Sequence, residues 1–329
     1  MTVERSDLEA ELSKLVEDVR DPRAGIYGPA SVSWRVDREA VIMLGGGRAA
    51  LLQLAHPYVA HAVDQHSHTK TDPLGRFRRT FQNVFSMVFG DLDHAIASAR
   101  RVHTIHTHIS GPIRENVGAF AEGHRYLAND ERALFWVHAT LVDTAIQVYE
   151  LVVGPLSLGE KDTYYAESRR FARLFGIPAR VMPDDWTAFR AYMEERFESP
   201  EITVGKPALE LRHFLLAAPR PVLAPLASWF TTLTAGLMPP RLRAQLELPF
   251  RLREEALFRA SIPALRAAFR LAPPRLRYFP DYIEAQRRLR GEEPRDRVGR
   301  FLEKVALGAI APPKKKNDRA RERPSRRAA

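Results

Sequence analysis

Hydrophobic side chains recur at helical spacing along most of this chain. One such stripe is Phe77, Phe81, Val84, Phe85 and Val88, and residues three or four apart lie on the same face of an α-helix. Val, Ile and Thr are not clustered in short runs bounded by turn residues, which is the usual pattern of β-strands. The pattern therefore predicts an all-α fold, in which amphipathic helices are joined by loops that contain Pro and Gly.

Capping residues and breakers divide this pattern into individual helices. Residues 6–9, Ser-Asp-Leu-Glu, are typical of a capping box that opens a helix to about Val19. Asp91 and the pair at 129–130 are N-cap residues in front of two long helices. The helix before Pro57 is predicted to break at His56, because the residue before a proline disfavours helical geometry.

A run of three glycines and the positions of further helices complete the predictions about the fold. Gly45, Gly46 and Gly47 predict close helix packing; a phosphate loop is disfavoured because no strand precedes them and no Lys-Ser or Lys-Thr follows. A helix is predicted over about residues 37–44, and the last ordered element is predicted near residues 281–290.

Charge and composition limit the classes of function. Of the net charge of +10, residues 312–329 contribute +6 through eight basic and two acidic side chains. We therefore expect one all-α domain over residues 1–311 and a disordered basic tail over residues 312–329. The body is only mildly basic, so no specific nucleic-acid partner is expected, whereas the tail is expected to contact anionic surfaces weakly.

The cysteine content and the N-terminal sequence bear on where in the cell the protein is expected. The chain has no cysteine, which excludes disulfides, iron–sulfur clusters and a thiolate-ligated haem. The first residues carry acidic side chains rather than an apolar segment, so no secretory signal is expected, and no run of about 18 apolar residues is long enough to span a bilayer. We expect a cytoplasmic location, with peripheral contact at a membrane surface left open.

Histidines concentrate the candidate chemistry in one part of the chain. Ten of the eleven fall between His56 and His138. His103 and His106 are three apart and share a helix face, whereas His108 is rotated away. Val102 and Ile109 place His106 on an apolar stripe, and His103 lies nearer a polar flank beside Arg100. Either these are cationic histidines that the helix dipole stabilises at the C-terminus of the helix, or one of them is a metal ligand.

Three other groups could have either a functional or a structural role. Arg76 and Thr80 are four apart and project together, so they either bind a carboxylate, a phosphate or a metal-bound oxygen species or belong to a solvated basic face with Arg79. His56, at a helix break, is either part of a pocket wall or a buried histidine bonded to a carbonyl. His138 lies in an apolar helix, where a lone histidine is more often core than ligand.

Five motifs together resemble a known family. They are LGGGRAALLQLAHPYVAHAVDQHS, GRFRRTFQNVFSMVFGD, the HxxIxG pattern at His106, LFWVHATLVD and YYAESRRFARLFGIP, in this order. They resemble the MpaB-like oxygenases, which are related to the rubber oxygenase called latex-clearing protein. The resemblance covers about residues 30–255, and the combination is more specific than any single motif.

The resemblance implies an all-α, partly globin-like fold that holds haem b. In this family the histidine of the pattern is the iron ligand, which implies that His106 is the metal ligand here. The family's Arg-xxx-Thr pair near the haem matches Arg76 and Thr80, and its HP motif matches His56 and Pro57. We expect Arg76, Arg79 and Phe77 to contact the haem, and Arg76, Thr80 and His56 to serve the chemistry. Relatives cleave carbon–carbon double bonds of isoprenoids with dioxygen.

Three functions are consistent with these residues. The first is a haem-dependent oxygenase that acts with dioxygen on an apolar, isoprenoid or lipid-like small molecule. The second is a non-catalytic protein that binds haem or another ligand on the same fold. The third is a metal enzyme without haem that uses His56, His106 and a carboxylate. A Soret band separates the first two from the third.

Overall fold

A computed structural model of the protein describes residues 1–67, 80 and 83–310, with side chains as far as residue 304. Helices cover most of these residues, which confirms the all-α prediction; the globin-like part of that prediction remains untested. The helices are α1 (Arg5–Asp18), α2 (Val32–Asp37), α3 (Gly46–Leu54), α4 (Pro57–His66), α5 (residues 83–89), α6 (Leu92–Thr107), α7 (Glu131–Val152), α8 (Leu158–Arg173), α9 (Trp186–Glu198), α10 (Lys206–Leu216), α11 (Ala224–Leu237), α12 (Pro240–Gln245), α13 (Leu252–Leu271), α14 (Pro274–Arg277), α15 (Pro280–Arg290) and α16 (Arg297–Ile310).

Short elements connect these helices. Single 3-10 turns occupy Pro22–Ala24, Ala40–Gly45, Ala179–Val181 and Pro221–Leu223. Two short strands, β1 (Ser110–Pro112) and β2 (Arg125–Leu127), pair antiparallel with Gly111 opposite Tyr126. No helix within the described ranges is long and apolar enough to cross a bilayer.

The core is built around α7, which is buried over most of its length. Its Trp136 donates from Nε1 to the carbonyl of Leu52 in α3 at 2.9 Å, so the two helices are tied by a buried polar contact as well as by packing. A second apolar cluster joins α1, α2, α5 and α6. There Trp34 donates from Nε1 to the carbonyl of Val88 at 3.1 Å. Both indoles therefore bury their N–H groups with a partner, as aromatic donors in a core require.

Local signals located many helix ends correctly. Asp91 accepts from the backbone N–H of His94, and Asp130 accepts from the N–H groups that open α7. The helix break at His56 is confirmed, with an extended backbone at that residue between α3 and α4.

Other boundaries were predicted incorrectly. α1 is capped by Glu4, whose side chain and that of Asp7 form the capping box in place of residues 6–9. The helix expected over residues 37–44 is instead the end of α2 followed by a 3-10 turn. Residues 281–290 are not the last element, because α16 follows them. The basic tail at residues 312–329 lies outside the described residues.

Two of the three consecutive glycines, Gly45 and Gly47, serve close packing, as the sequence predicted. A Cβ on Gly45 would overlap Thr144 Cγ2 and lie 2.8 Å from Val148 Cγ2, both on α7. A Cβ on Gly47 would overlap Thr234 Oγ1 and lie 3.1 Å from the ring of Phe230 on α11. Side chains at these positions would push α3 and the turn before it away from α7 and α11.

Gly45→Ala is expected to lower the free energy of unfolding by about 1–3 kcal/mol, because the added methyl group overpacks the contact with α7. Gly159→Ala is the matched control, since a Cβ at that helical position meets no atom within 4 Å. The control should gain roughly 0.5–1 kcal/mol from the lower entropy of the unfolded chain. Urea unfolding of both variants measures the difference, and equal effects would contradict the packing role.

Candidate functional site

The histidine-rich region is assembled from α4, α6 and the β1–β2 hairpin. Backbone and side-chain bonds fix α4 against the segment that follows α6. His66 donates from Nε2 to the carbonyl of Ser110 at 3.0 Å, and Gln65 donates to the carbonyl of Pro112 at 3.0 Å. The apolar cluster beneath this contact includes Ile109, which directly follows the end of α6. The C-terminal part of α4 therefore lies against β1, in the hairpin that follows α6.

The three histidines of α6 have different surroundings. His103 is buried, 5% exposed, and donates from Nε2 to the carbonyl of Val3 at 3.1 Å. His106 is partly buried, and its Nδ1 atom is inaccessible to solvent. His108 is the exposed C-cap residue. The expectation that His103 lies on a polar flank was wrong, because that side of α6 packs against the N-terminal segment and α1.

His56 has a defined structural task at the start of α4. Its Nδ1 accepts the backbone N–H of Tyr58 at 3.2 Å, and its ring packs against Tyr58 and Phe120. Burial, with a further contribution from the positive charge of Arg196, lowers the pKa of His56 to about 3. The ring is therefore neutral at physiological pH, and because Nδ1 is an acceptor, the proton is on Nε2. In this state His56 is a hydrogen-bond donor rather than a metal ligand.

A hydroxyl–imidazole contact lies beside His56. The hydroxyl of Tyr58 is 2.6 Å from Nε2 of His124, and the two rings stack with centroids 5.7 Å apart. Phe120 contacts both rings. This aromatic cluster joins α4 to the hairpin region and forms one wall of the histidine-rich region.

His138 is a core residue of α7, in agreement with the simpler interpretation of its sequence context. Its ring stacks on Phe171 of α8 at 5.9 Å, and Nε2 is 3.5 Å from the hydroxyl of Ser168. Burial lowers the pKa of His138 to about 4. The side chain therefore stays neutral between α7 and α8.

These two depressed pKa values predict a loss of stability in acid. The unfolded chain takes up protons at histidine below about pH 6.5, whereas folded His56 and His138 do so only near pH 3 and 4. The stabilisation is therefore complete above about pH 6.5 and declines as the pH falls toward 3.

His138→Leu removes one of these titrations without removing a helix cap. Between pH 7 and pH 5 the wild type should lose roughly 2 kcal/mol of unfolding free energy more than this variant, as measured by urea unfolding. The exposed His213 provides the control, and His213→Gln should follow the wild-type pH dependence. A variant that loses as much stability as the wild type in acid would contradict the assignment.

His61 was missed by the sequence interpretation. It is 1% exposed, and neither ring nitrogen makes a hydrogen bond within the described chain. The nearest carboxylate oxygen is Oε1 of Glu115, 3.5 Å from Nε2, and that oxygen also accepts the N–H of Lys206 at the start of α10. Burial lowers the pKa of His61, and the charge of Glu115 opposes this change. The spacing of His56 and His61 gave no signal, because Glu115 lies on a distant loop.

The structure leaves other predicted site residues untested. Arg76, Phe77 and Arg79 lie outside the described residues. Thr80 is helical and its side chain is exposed. The pairing of Arg76 with Thr80 therefore remains a prediction, as does the role of His106 as a ligand.

A buried ion-pair network, by contrast, has a structural role. Arg48 directly follows the three glycines and donates to Asp143, to the hydroxyl of Thr144 and to the carbonyl of Leu237 at 2.6, 2.6 and 2.8 Å. Arg190 of α9 binds the other carboxylate oxygen of Asp143. The network joins α3, α7, α9 and α11, so Asp143, the last residue of the LFWVHATLVD motif, has a structural role.

Comparisons with known proteins agree with this architecture. A family model described as "ER-bound oxygenase mpaB/B'/Rubber oxygenase, catalytic domain" matches residues 34–267. One uncharacterized protein of Mycobacterium bovis and one of Mycobacterium tuberculosis are each 28% identical over 157 residues, which is 47% of this chain. The chain spans 61% of the length of these curated relatives. No solved structure matches the chain significantly.

Proposed function

Because the chain belongs to the family of the mpaB and rubber oxygenase catalytic domains, we propose that it is a haem b-dependent oxygenase. The substrate class is an apolar small molecule, with oxidative cleavage of an isoprenoid or lipid-like double bond by dioxygen as the reaction. The observation that carries the proposal is the family match over residues 34–267, which contains every predicted site residue. The basic tail would add weak contact with an anionic surface.

The donor chemistry of the described histidines fits a haem with one histidine ligand. His56 has its Nδ1 lone pair committed to the cap of α4. His103 has one ring nitrogen committed to a backbone carbonyl. His106 lies at the end of α6, partly buried, and its imidazole suits iron. Among the residues whose side chains are described, no group of three or more histidine, aspartate or glutamate side chains could hold a metal ion.

The roles of the side chains follow from this proposal. His106 would hold the iron, and the haem when bound would supply the activation of dioxygen. Arg76 and Thr80 would orient bound oxygen or a haem propionate, with Arg79 and Phe77 against the porphyrin. His56 would act as a neutral Nε2–H donor in the pocket wall, since its low pKa prevents it from carrying charge near neutral pH.

The absorption spectrum of protein expressed with a haem precursor tests the cofactor. A Soret band is expected, and its absence would leave the non-haem metal enzyme as the remaining function. Oxygen consumption with a long-chain apolar alkene then tests the reaction. A Soret band without substrate-dependent oxygen uptake would mean a non-catalytic haem-binding protein.

The proposed role requires the exposed side chain of Thr80 to contact oxygen bound at the haem. Thr80→Val is therefore expected to keep the Soret band and to slow oxygen consumption by at least about tenfold, because that hydroxyl is lost. Thr104→Val, at an exposed position of α6, serves as the control. Unchanged turnover in Thr80→Val would remove this hydroxyl from the mechanism. Loss of folding would assign it a structural role instead.

A further inference from the structure

The polar side of α16 faces the body of the protein. Arg300 donates to Asp281 at 2.9 Å and to Glu284 at 2.6 Å, both on α15. These carboxylates raise the pKa of Arg300, so the guanidinium is charged throughout. A Cβ on Gly299 would overlap the carboxylate of Asp296 and lie 3.2 Å from Pro280 Cγ. α16 is therefore held against α15 by ion pairs and by the close approach at a glycine.

The opposite side of α16 is apolar and faces solvent. Val298, Phe301 and Leu302 are 46%, 64% and 37% exposed. They are three and four residues apart, so they form one stripe along the helix. An amphipathic helix of a globular protein normally buries its apolar stripe and exposes its charged side. α16 has the reverse orientation, which leaves a stripe of large apolar side chains without a partner in the described chain.

The charge around this stripe indicates what covers it. Arg297 and Lys304, at either end, are exposed. Residues 312–329, which follow the helix in sequence, carry eight basic and two acidic side chains. Apolar side chains that insert into a bilayer and basic side chains that attract anionic headgroups are the two signals that together give stable but reversible membrane binding.

We propose that α16 is a docking helix for an anionic phospholipid bilayer, with Val298, Phe301 and Leu302 as the inserting side chains. The ion pairs of Arg300 fix the helix on the body so that this stripe points outward. The inference does not depend on the oxygenase chemistry. A bilayer fits better than a second copy of the chain, because two copies would bring their basic residues Arg297 and Lys304 and their basic tails together, and like charges across an interface are unfavourable.

Co-sedimentation of the full chain with vesicles tests the proposal. Binding to vesicles that contain phosphatidylglycerol is expected, with much weaker binding to pure phosphatidylcholine. Phe301→Asp should lower the partition coefficient by at least about tenfold, since it removes the largest inserting side chain and adds a negative charge. Leu158→Asp is the matched control, because Leu158 is 60% exposed on α8, and its binding should equal that of the wild type.

The salt dependence of vesicle binding distinguishes the contribution of α16 from that of the basic tail. Attraction through the basic tail is screened at high ionic strength, whereas apolar insertion persists. Residual binding at high salt should therefore survive deletion of residues 312–329 and be lost in Phe301→Asp. If Phe301→Asp bound as well as the wild type under both conditions, or if deletion of the tail removed all binding, α16 would not be the docking element.

A second variant gives a positive signal that does not depend on loss of binding. Phe301→Trp should show a blue shift of the added tryptophan emission when phosphatidylglycerol vesicles are added, and Leu158→Trp should not. Absence of that shift would overturn the proposal. Size-exclusion chromatography with light scattering covers the remaining alternative: a dimer that Phe301→Asp dissociates would assign the stripe to a second copy of the chain.

Discussion

His106→Ala is expected to abolish the Soret absorbance of protein expressed with a haem precursor, or to shift it strongly. The family pattern places the ligand at this residue, and its imidazole is the remaining member of the α6 group with a suitable environment. His103 donates to a backbone carbonyl in the core, and His108 is exposed at the end of the helix.

The neighbouring histidines are the controls for this experiment. His108→Ala should leave the spectrum unchanged. His103→Ala should also keep it, although the lost bond to the carbonyl of Val3 should lower the unfolding temperature. If His103→Ala lost the band and His106→Ala kept it, the motif alignment would be wrong by one turn.

The structure also changes which residue would be the ligand if all three variants kept the wild-type spectrum. Both His56 and His138 were candidates on sequence grounds. His56 now has its acceptor nitrogen committed to the cap of α4, and His138 is stacked in the core between α7 and α8. His61 would take their place, since it is buried and its ring nitrogens make no hydrogen bond among the described residues. His61→Ala would then be the variant that loses the band.

The helix ends that were predicted correctly from the sequence depend on side chains within one turn of the helix end. Asp91 and Asp130 cap helices because their carboxylates reach N–H groups two or three residues ahead. The break at His56 follows from the ring of the next residue, Pro57. Such signals act within one turn of helix, so they can be recognised without knowledge of the fold.

What sequence could not provide are contacts between distant parts of the chain. His61 and Glu115 are 54 positions apart, and Arg48 and Asp143 are 95 positions apart. Helical periodicity shows which residues share a face, but not what that face meets. α16 was missed although Val298, Phe301 and Leu302 have helical spacing. What the sequence could not show is that ion pairs with Asp281 and Glu284 leave this apolar side exposed.

The fold class followed from periodicity, whereas the site depended on the motifs. Nothing in the spacing of His103, His106 and His108 distinguishes a ligand from a core residue, and the apolar stripe assigned to His106 misjudged His103. The resemblance in the order and combination of several motifs is what singles out His106. The family match over residues 34–267 shows the family, and the ligand remains a prediction.

Asp143→Asn is expected to lower the free energy of unfolding by about 3–5 kcal/mol, which is the usual cost of leaving a buried charge without its partner. The side chains of Arg48 and Asp143 are only 3% and 5% exposed. Loss of the carboxylate charge would leave the guanidinium of Arg48 buried with only neutral acceptors, the hydroxyl of Thr144 and the carbonyl of Leu237. Urea unfolding at neutral pH measures the change.

A pair with the same separation but different burial is the control. Arg259 and Glu255 are 2.6 Å apart, as are Arg48 and Asp143, but their side chains are 76% and 40% exposed. Glu255→Gln should cost less than about 1 kcal/mol, because water screens an exposed pair. Equal costs for Asp143→Asn and Glu255→Gln would mean that burial adds nothing to the pair.

The double variant Arg48→Met with Asp143→Leu separates two quantities. One is the net contribution of the ion pair to the free energy of unfolding, and the other is the penalty for leaving one buried charge without its partner. Apolar side chains of similar size leave no buried charge, so the double variant should recover a large part of the stability lost in Asp143→Asn. Arg190 would then lose its contact with Asp143, but it is partly exposed, can be solvated by water and keeps Glu194 as a carboxylate partner. A double variant less stable than Asp143→Asn would show that the hydrogen bonds from Arg48 to Thr144 and Leu237 hold α3, α7 and α11 together more strongly than apolar packing can.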